Sequence, residues 1–328
     1  MTVTLKDVAA RAGVSRSAVS RCFTEGASVS PVMRDRVMQA ATALGYSPNI
    51  LARSLTTRST GMVGLVSNNF RNPFFLQIFD LFTRGLQDRG LRPLLVNLTD
   101  ETDPDRSVRL LRQYSVDGVI VASSTLPNGF SAAFRAAGLP TVHAFGRTDS
   151  TGEVDVVAID NRAAGRMAAE ALLSKGCTNL VFLGGPETAT TTVDRRAGFL
   201  DHAAEQGQAA HVHYAGPYTF QAGRDGMTAI LANGQRPDGV FCGDDVIATG
   251  ALAAVRAFGL RVPQDIRLIG VNDMDMAAWD GISLTTVRQP LAGIVDASVE
   301  LLIALLADPG RKPEARILPC EIVWRDTA

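Results

Sequence analysis

The fold of the N-terminal region is decided by residues 4–23, which read TLKDVAARAGVSRSAVSRCF. Thr4 followed three residues later by Asp7 is the pattern of a capping box at the start of a helix. Gly13 is typical of a helix end, and Ser15 then offers a second N-cap. Two short helices joined by a turn that contains glycine predict a helix-turn-helix.

A third helix is predicted to start at Ser30-Pro31, which combines an N-cap with a proline at the first helical position. Apolar residues follow at helical spacing until Gly45 ends the segment. Three amphipathic helices can enclose one small core. Residues 1–46 are therefore expected to form an all-α domain.

The second predicted helix directs Arg16, Ser17 and Arg21 outward, near its start and one turn further on. A recognition helix meets base edges in the major groove with this part of its surface. A guanidinium group can also donate two hydrogen bonds to guanine. A helix-turn-helix can instead be a packing module, but the basic side chains lie on the face that docking to DNA requires.

The charge distribution also favours DNA binding by the N-terminal region. Residues 1–58 hold eight Lys or Arg and three Asp or Glu, whereas the whole chain has a net charge of -1. The rest of the chain is therefore acidic, and a basic N-terminal segment suggests an arm that binds a polyanion. A solvated charged face would be the ordinary alternative if charge were the only observation.

Residues 47–60 are expected to form a hinge. Ser47 and Pro48 again combine an N-cap with a proline, but the helix that follows has barely two turns and is marginal unless it docks on something. Leu55 beside Arg53 offers an apolar wedge and a cation, as minor-groove insertion requires. The alternative is an ordinary linker in which Leu55 packs on the body.

From residue 61 onward, short apolar strands alternate with helices. A first set of alternations runs from strand 62–67 to strand 141–145, and a second set runs from strand 156–159 to strand 267–271. This pattern predicts two lobes, each a doubly wound parallel sheet, so the chain is an α/β protein with an all-α headpiece and residues 61–328 as its body.

Polar and aromatic residues follow the predicted strands at their carboxyl ends, where such sheets bind ligands. Carboxylates, amides, one arginine and aromatic rings around a cleft suit a polyhydroxylated ligand. Each residue alone is more often a helix cap or turn former, and this applies above all to Asn161 and Asp244. The residues expected to bind the ligand are Phe74, Ser123, Asp160, Arg195, Tyr218, Asp244, Asn272 and Asp273.

Several spaced motifs together resemble the lactose/galactose repressor family of transcriptional regulators. In the N-terminal region these are residues 4–9, 12–15, 19–21, 45–49 and 52–55; in the body they are 72–75, 159–161, 195–199, 241–245 and 269–273. The resemblance implies a body similar to periplasmic sugar-binding proteins, with a small-molecule effector between its lobes. Two positions depart from the family pattern, because Gly243-Asp244 stands where Asn-Asp is common and Asn272 replaces a frequent aspartate.

The resemblance also implies a homodimer on pseudo-palindromic double-stranded operator DNA, with Leu55 inserted into the minor groove. Residues 16–18 occupy positions that vary with operator sequence. The resulting set expected to contact DNA is Thr4, Ser15, Arg16, Ser17, Ala18, Arg21, Asn49, Arg53 and Leu55. Little sequence follows Trp324, so a dimer is expected rather than a tetramer.

The sequence lacks the motifs that would indicate other functions. The sequence contains no glycine-rich nucleotide loop, zinc-protease motif or nucleophile elbow, so an enzyme is not expected. The four scattered cysteines favour neither disulfides nor a metal site, and no cofactor is expected. A sugar-binding transport protein would fit the body but not the basic headpiece. No signal peptide or membrane span is recognised, which favours the cytoplasm.

Overall fold

The computed structural model describes residues 3–24, 26–47, 59–99, 101–126, 129–147 and 152–328. The chain divides into two compact units, Met1–Thr60 and Gly61–Ala328. The first unit contains three helices among its described residues: α1 (Leu5–Ala12), α2 (Arg16–Cys22) and α3 (Pro31–Leu44). The three helices predicted within residues 1–46 are confirmed.

The predicted caps hold these helix ends. The Thr4 backbone N–H and hydroxyl both donate to Asp7 Oδ2, at 2.8 and 2.6 Å. Ser15 Oγ accepts from the Ala18 N–H at 3.2 Å, at the start of α2. The core of the unit includes Val8, Val19 and Val37, each with none of its surface exposed. Residues 48–58, which carry most of the predicted hinge, lie outside the described residues.

The second unit contains two sheets, each with six strands among the described residues. The first sheet has the order β11-β5-β4-β3-β1-β2, and the second has the order β12-β10-β9-β8-β6-β7. The strands of the first sheet are β1 (Met62–Ser67), β2 (Arg92–Asn97), β3 (Gly118–Ala122), β4 (Thr141–Ala144), β5 (Asp155–Ile159) and β11 (Ala315–Leu318). Those of the second are β6 (Leu180–Gly184), β7 (Ala210–Tyr214), β8 (Gly239–Cys242), β9 (Arg267–Asn272), β10 (Thr285–Arg288) and β12 (Glu321–Val323).

Helices cover both sheets, as the doubly wound pattern predicts. They are α4 (Phe74–Asp88), α5 (Pro104–Gln113), α6 (Gly129–Ala136), α7 (Asn161–Ser174), α8 (Thr190–Glu205), α9 (Phe220–Ala232), α10 (Asp245–Ala257) and α11 (Leu291–Ala307), with a 3-10 turn at Asp275–Ala278. One face of α4 packs into the core, because Ile78, Phe82 and Leu86 are fully buried. The predicted two-lobed α/β body is confirmed.

The division of the chain between the lobes differs from the sequence prediction. Strand β5, expected to open the second lobe, pairs in parallel with β4 in the first sheet. Near the C-terminus, β11 joins the first sheet and β12 joins the second, where it is antiparallel to β10. The chain therefore passes between the sheets three times, after β5, β10 and β11. Strand and helix alternate alike in both lobes, so the sequence pattern does not show where the chain changes sheet.

Helices α7 and α8 approach closely enough to require glycine on both sides. A Cβ added at Gly198 would lie 1.9 Å from the Arg162 carbonyl oxygen, and one added at Gly165 would lie 2.0 Å from the Arg195 carbonyl oxygen. These contacts are with backbone, which cannot move aside as a flexible side chain can. The spacing of the two helices depends on both glycines.

We expect Gly198→Ala to lower the free energy of unfolding by about 2 kcal/mol, because the added methyl group forces α7 and α8 apart. Urea unfolding followed by circular dichroism measures the change. Gly129→Ala is the control, since its added Cβ meets nothing within 4 Å and alanine is the better helix former. A Gly198→Ala protein as stable as the wild type would contradict the packing argument.

Candidate functional site

A cavity lies between the two lobes of the second unit, and together with the open solvent at its mouth it comprises about 430 Å³ of space free of protein atoms. Because the strands around it are parallel, their carboxyl ends and the helix starts that follow them face this cleft. Its apolar lining residues are Phe74, Phe75, Phe145 and Ile159. Its polar lining residues are Asn69, Asn72, Ser124, Asn161, Thr191, Arg195, Tyr218, Asp244, Asn272 and Gln289.

The first sheet supplies the apolar side of the cavity. Phe74 begins α4 after β1, Phe145 follows β4, and Ile159 ends β5. The rings of Phe74 and Phe145 meet edge to face with centroids 5.9 Å apart. Phe145 has a φ of 63°, a left-handed conformation that is rare for a bulky side chain and requires strong packing around it.

Arg195 is the only cation among the described residues that line the cavity. Its side chain comes from α8 and is fixed at two points. Nε donates to Asn161 Oδ1 at 2.8 Å, and Nη1 donates to the Gly243 carbonyl oxygen at 2.7 Å. Arg195 has 4% of its surface exposed, so the guanidinium is held in position before any ligand arrives.

The carboxylate of Asp244 joins groups from both lobes. Its Oδ2 accepts from Asn72 Nδ2 of the first lobe and from Asn272 Nδ2 of the second, each at 2.9 Å. Its Oδ1 accepts from the Val246 N–H at 2.8 Å. Gln289, at the second passage between the sheets, extends the chain of hydrogen bonds by donating to Asn272 Oδ1 at 2.6 Å.

Burial shapes the electrostatics of this network. It raises the pKa of Asp244 above its usual value, while the hydrogen bonds from Val246 and Asn72 and the charge of Arg195 act in the opposite direction. Asn272 has a φ of 123°, a strained backbone conformation that persists only where the surroundings hold it. Strain of this kind is concentrated at functional sites.

Tyr218 closes another part of the cavity. Its hydroxyl lies 3.3 Å from Thr191 Oγ1 and 3.0 Å from Thr192 Oγ1. Burial raises the pKa of Tyr218, so the phenol stays neutral. Helix α8 begins at Thr190 and therefore carries both threonines.

Five of the predicted ligand-binding residues meet at the cavity: Phe74, Arg195, Tyr218, Asp244 and Asn272. Three others have local partners away from its lining. Ser123 is fully buried and donates to Asn68 Oδ1 at 2.6 Å. Asp160 caps α7 by accepting from the Ala163 N–H at 2.9 Å, and Asp273 pairs with Arg288 and Arg325 at 2.6 and 2.7 Å.

Sequence reasoning missed Asn72, Phe145 and Gln289 as lining residues. Asn72 belongs to the motif of residues 72–75, but the sequence does not single it out as a ligand contact, and Phe145 is predicted only as the end of a strand. Gln289 follows β10, a strand that the sequence analysis did not identify. An amide directly after a strand's carboxyl end was the signal that could have found Gln289.

The residues predicted to contact DNA are distributed unevenly. Thr4, Arg16, Ser17 and Arg21 are exposed. Ser15 is exposed too, with its hydroxyl 2.9 Å from Ser17 Oγ. The side chain of Ala18 is 6% exposed and packs inward, which leaves it little surface for a DNA contact. Asn49, Arg53 and Leu55 lie outside the described residues.

Within the described part of the chain, no group of three or more His, Cys, Asp or Glu side chains is arranged to hold a metal ion. None of the helices in that part is both long and apolar enough to cross a bilayer.

A helix-turn-helix followed in the same chain by a two-lobed body with an interlobe pocket defines a DNA-binding regulator that responds to a small molecule. Residues 4–49 match the pattern of bacterial regulatory proteins of the lacI family, and residues 169–328 match a periplasmic binding protein-like domain. The chain belongs to the lacI family of bacterial regulatory proteins. The resemblance inferred from its sequence motifs is confirmed.

Curated relatives match over nearly the whole chain. The ribose operon repressor of Halalkalibacterium halodurans is 31% identical across 99% of this chain and 96% of that repressor. The HTH-type transcriptional repressor PurR of Erwinia tasmaniensis is 31% identical across 92% of this chain and 89% of that protein. Both relatives are regulators rather than enzymes.

Solved structures of regulators also match nearly the whole chain. The Lac repressor dimer bound to operator and the anti-inducer ONPF matches with a TM-score of 0.88 and 25% identity, covering 100% of this chain and 99% of that one. A complex of the transcriptional regulator CelR with cellobiose matches with a TM-score of 0.75 and 28% identity, covering 99% and 100%.

The carboxyl group of Asp245, next to Asp244, is buried, and its titration makes the stability of the protein depend on pH. It accepts from Thr286 Oγ1 at 2.6 Å and from the Met274 N–H at 2.9 Å, and burial raises its pKa from 3.8 to about 7. The native state therefore holds this proton more tightly than the unfolded chain. The resulting stabilisation is complete below the unfolded pKa and is lost as pH rises through the folded pKa.

We expect the free energy of unfolding to fall as pH rises from about 5 to about 8, and Asp245→Asn to flatten this dependence because an amide does not titrate. Urea unfolding at each pH measures both proteins. Asp265→Asn is the control, since the Arg261 side chain already holds the pKa of Asp265 at about 2, below this range. An Asp245→Asn protein with the wild-type dependence would exclude Asp245 as its source.

Proposed function

We propose that the protein is a repressor that binds operator DNA as a homodimer, and that a neutral, polyhydroxylated small molecule in the interlobe pocket sets its affinity for the operator. The observation that carries the proposal is the pocket itself. Its apolar side comes from the first sheet, its charged residues come from the second lobe, and the Asp244 network connects the two.

The ligand class follows from the chemistry of the lining. Arg195 and Asp244 carry opposite charges, so they favour neither a strongly anionic nor a strongly cationic ligand. Amides and hydroxyls can exchange hydrogen bonds with several ligand hydroxyls, while Phe74 and Phe145 can cover an apolar face. We assign effector contact to Phe74, Arg195, Tyr218, Asp244 and Asn272. A sugar satisfies these requirements, and the names of the ribose operon repressor and the CelR–cellobiose complex support that class.

The exposed face of α2 is the proposed reader of the operator. Arg16, Ser17 and Arg21 supply the base contacts, with exposed hydroxyls of Thr4 and Ser15 at the starts of α1 and α2. Residues 1–46 form the proposed headpiece, residues 47–60 the hinge with Asn49, Arg53 and Leu55, and residues 61–328 the body. Two such headpieces in a dimer would read two half-sites, which makes a pseudo-palindromic operator the expected target.

The matching Lac repressor structure is a dimer bound to operator, which supports a homodimer for this chain. We propose a binding role without catalysis, since the matching relatives are regulators and the described pocket lining offers no His, Cys or Lys. Binding of chromosomal DNA would take place in the cytoplasm.

We expect D-ribose, D-galactose or cellobiose to raise the midpoint of thermal unfolding of the full chain, because a ligand that binds only the native state stabilises it. Arg195→Gln should weaken binding of that sugar about 30-fold, since the pocket loses a charged hydrogen-bond donor. Isothermal titration calorimetry measures the affinities. Asp160→Asn is the control, because asparagine caps α7 equally well and residue 160 does not line the cavity. An unchanged affinity of the Arg195→Gln protein for the sugar would contradict the assigned contact between Arg195 and the ligand.

We expect Arg21→Ala to weaken binding to a duplex selected from a random library by about 10-fold, and to relax the preference for that duplex over competitor DNA. Arg36→Ala is the matched control: Arg36 is also exposed and cationic but lies on α3, so its loss should weaken both DNA classes equally. Fluorescence anisotropy gives the affinities. Equal losses in the two variants for both DNA classes would contradict base reading by α2.

A further inference from the structure

Among the described residues, polar groups join the two lobes at three places in addition to the chain passages. Asn72 donates to Asp244 within the buried floor of the pocket. The Thr190 N–H donates to the Ser124 carbonyl oxygen at 3.3 Å. Arg147 of the first lobe pairs with Asp194 of the second, with Nη2 and Oδ1 2.9 Å apart. The third contact has no part in the ligand-binding role assigned above.

The Arg147–Asp194 pair lies at the outer edge of the cleft. The side chain of Arg147 is 52% exposed and that of Asp194 is 18% exposed, whereas Asp244 is almost completely buried. Arg147 comes two residues after Phe145, and Asp194 comes directly before Arg195. The pair therefore ties together the two backbone segments that carry a ring of the pocket and its cation.

Separating the lobes would leave the Asp194 carboxylate without the cation of Arg147, which costs free energy. Burial raises the pKa of Asp194, and the charge of Arg147 is the largest influence in the opposite direction. A half-buried carboxylate that loses its cation must be solvated again by water or by another cation. Arg162, on the same lobe, is the next favourable charge for Asp194. The closed arrangement is the one in which Asp194 keeps the cation from the opposite lobe.

We propose that Arg147 and Asp194 are positioning residues that fasten the two lobes over a bound effector and slow its dissociation. This inference rests on the proposed function, because it concerns ligand retention in the same pocket. The pair forms when the lobes close, so it acts mainly on the dissociation rate and little on the association rate. Since Arg147 is half exposed, salt should weaken the effect.

The test uses the full chain and D-ribose as the probe, with cellobiose as the second probe. Arg147→Gln and Asp194→Asn should each speed dissociation by about 3-fold, as expected for a partly exposed ion pair. The double variant should dissociate no faster than either single variant, because both changes remove the same contact. Stopped-flow fluorescence at low and high salt gives the rates, and the salt dependence should disappear in the variants.

Arg166→Gln is the matched control. Arg166 is 48% exposed, close to the exposure of Arg147, and pairs with Glu205 at 2.7 Å. Glu205 is more exposed than Asp194, and both members of the control pair lie within the second lobe, on α7 and α8. The dissociation rate of the Arg166→Gln protein should equal that of the wild type. A wild-type rate in Arg147→Gln, or an equal acceleration in Arg166→Gln, would overturn the proposal while leaving ligand binding itself intact.

A second measurement needs no ligand. Hydrogen exchange of the Thr190 amide reports lobe opening, because its N–H bonds across the cleft to Ser124. The Thr190 amide should exchange faster in the Arg147→Gln protein than in the wild type. Its exchange rate in the Arg166→Gln protein should equal that of the wild type. If neither sugar binds the wild type, the sugar class proposed above is wrong, and this exchange rate alone decides whether the pair fastens the lobes; an unchanged rate overturns the inference.

Discussion

The carboxylate of Asp244 is the group on which the pocket depends. It is 3% exposed, and it receives hydrogen bonds from the start of α10, from Asn272 beside it and from Asn72 in the other lobe. Leaving a buried charge without partners costs several kcal/mol. Any lobe arrangement that withdraws Asn72 must therefore bring water or a ligand hydroxyl in its place. We propose that ligand occupancy and lobe arrangement are coupled through this group.

Such coupling becomes regulation when the lobes control the DNA-binding unit. A ligand shifts an equilibrium only by its difference in affinity for the two arrangements. The body starts at Gly61, whose N–H donates to Asp117 Oδ2 at 2.7 Å, so the first lobe holds the point that follows the end of the expected hinge segment. The helix expected from the sequence of residues 47–60 would be short and therefore marginally stable. We propose that a modest change at this attachment point decides whether the helix forms.

Much of this architecture could be predicted from local sequence. The caps at Thr4, Ser15 and Ser30 and the helix-ending Gly13 and Gly45 specify the headpiece, because capping is a local interaction. The sheet to which β5, β11 and β12 each belong could not be predicted, because it depends on pairing between strands that are far apart in the sequence. The same limit applies to the pocket. A position directly after a strand correctly placed Asp244 near the cleft, but Asp160 and Asp273 bond to other partners, which only the packed structure reveals.

The most direct test of the account is reciprocity between the two ligands. The dissociation constant of the stabilising sugar is measured by calorimetry on the free protein and on the protein saturated with its selected operator duplex. If the pocket and the headpiece share one conformational equilibrium, the two constants differ by about 5- to 150-fold, and the sugar changes the operator affinity by the same factor. Equal constants with and without operator would contradict the coupling.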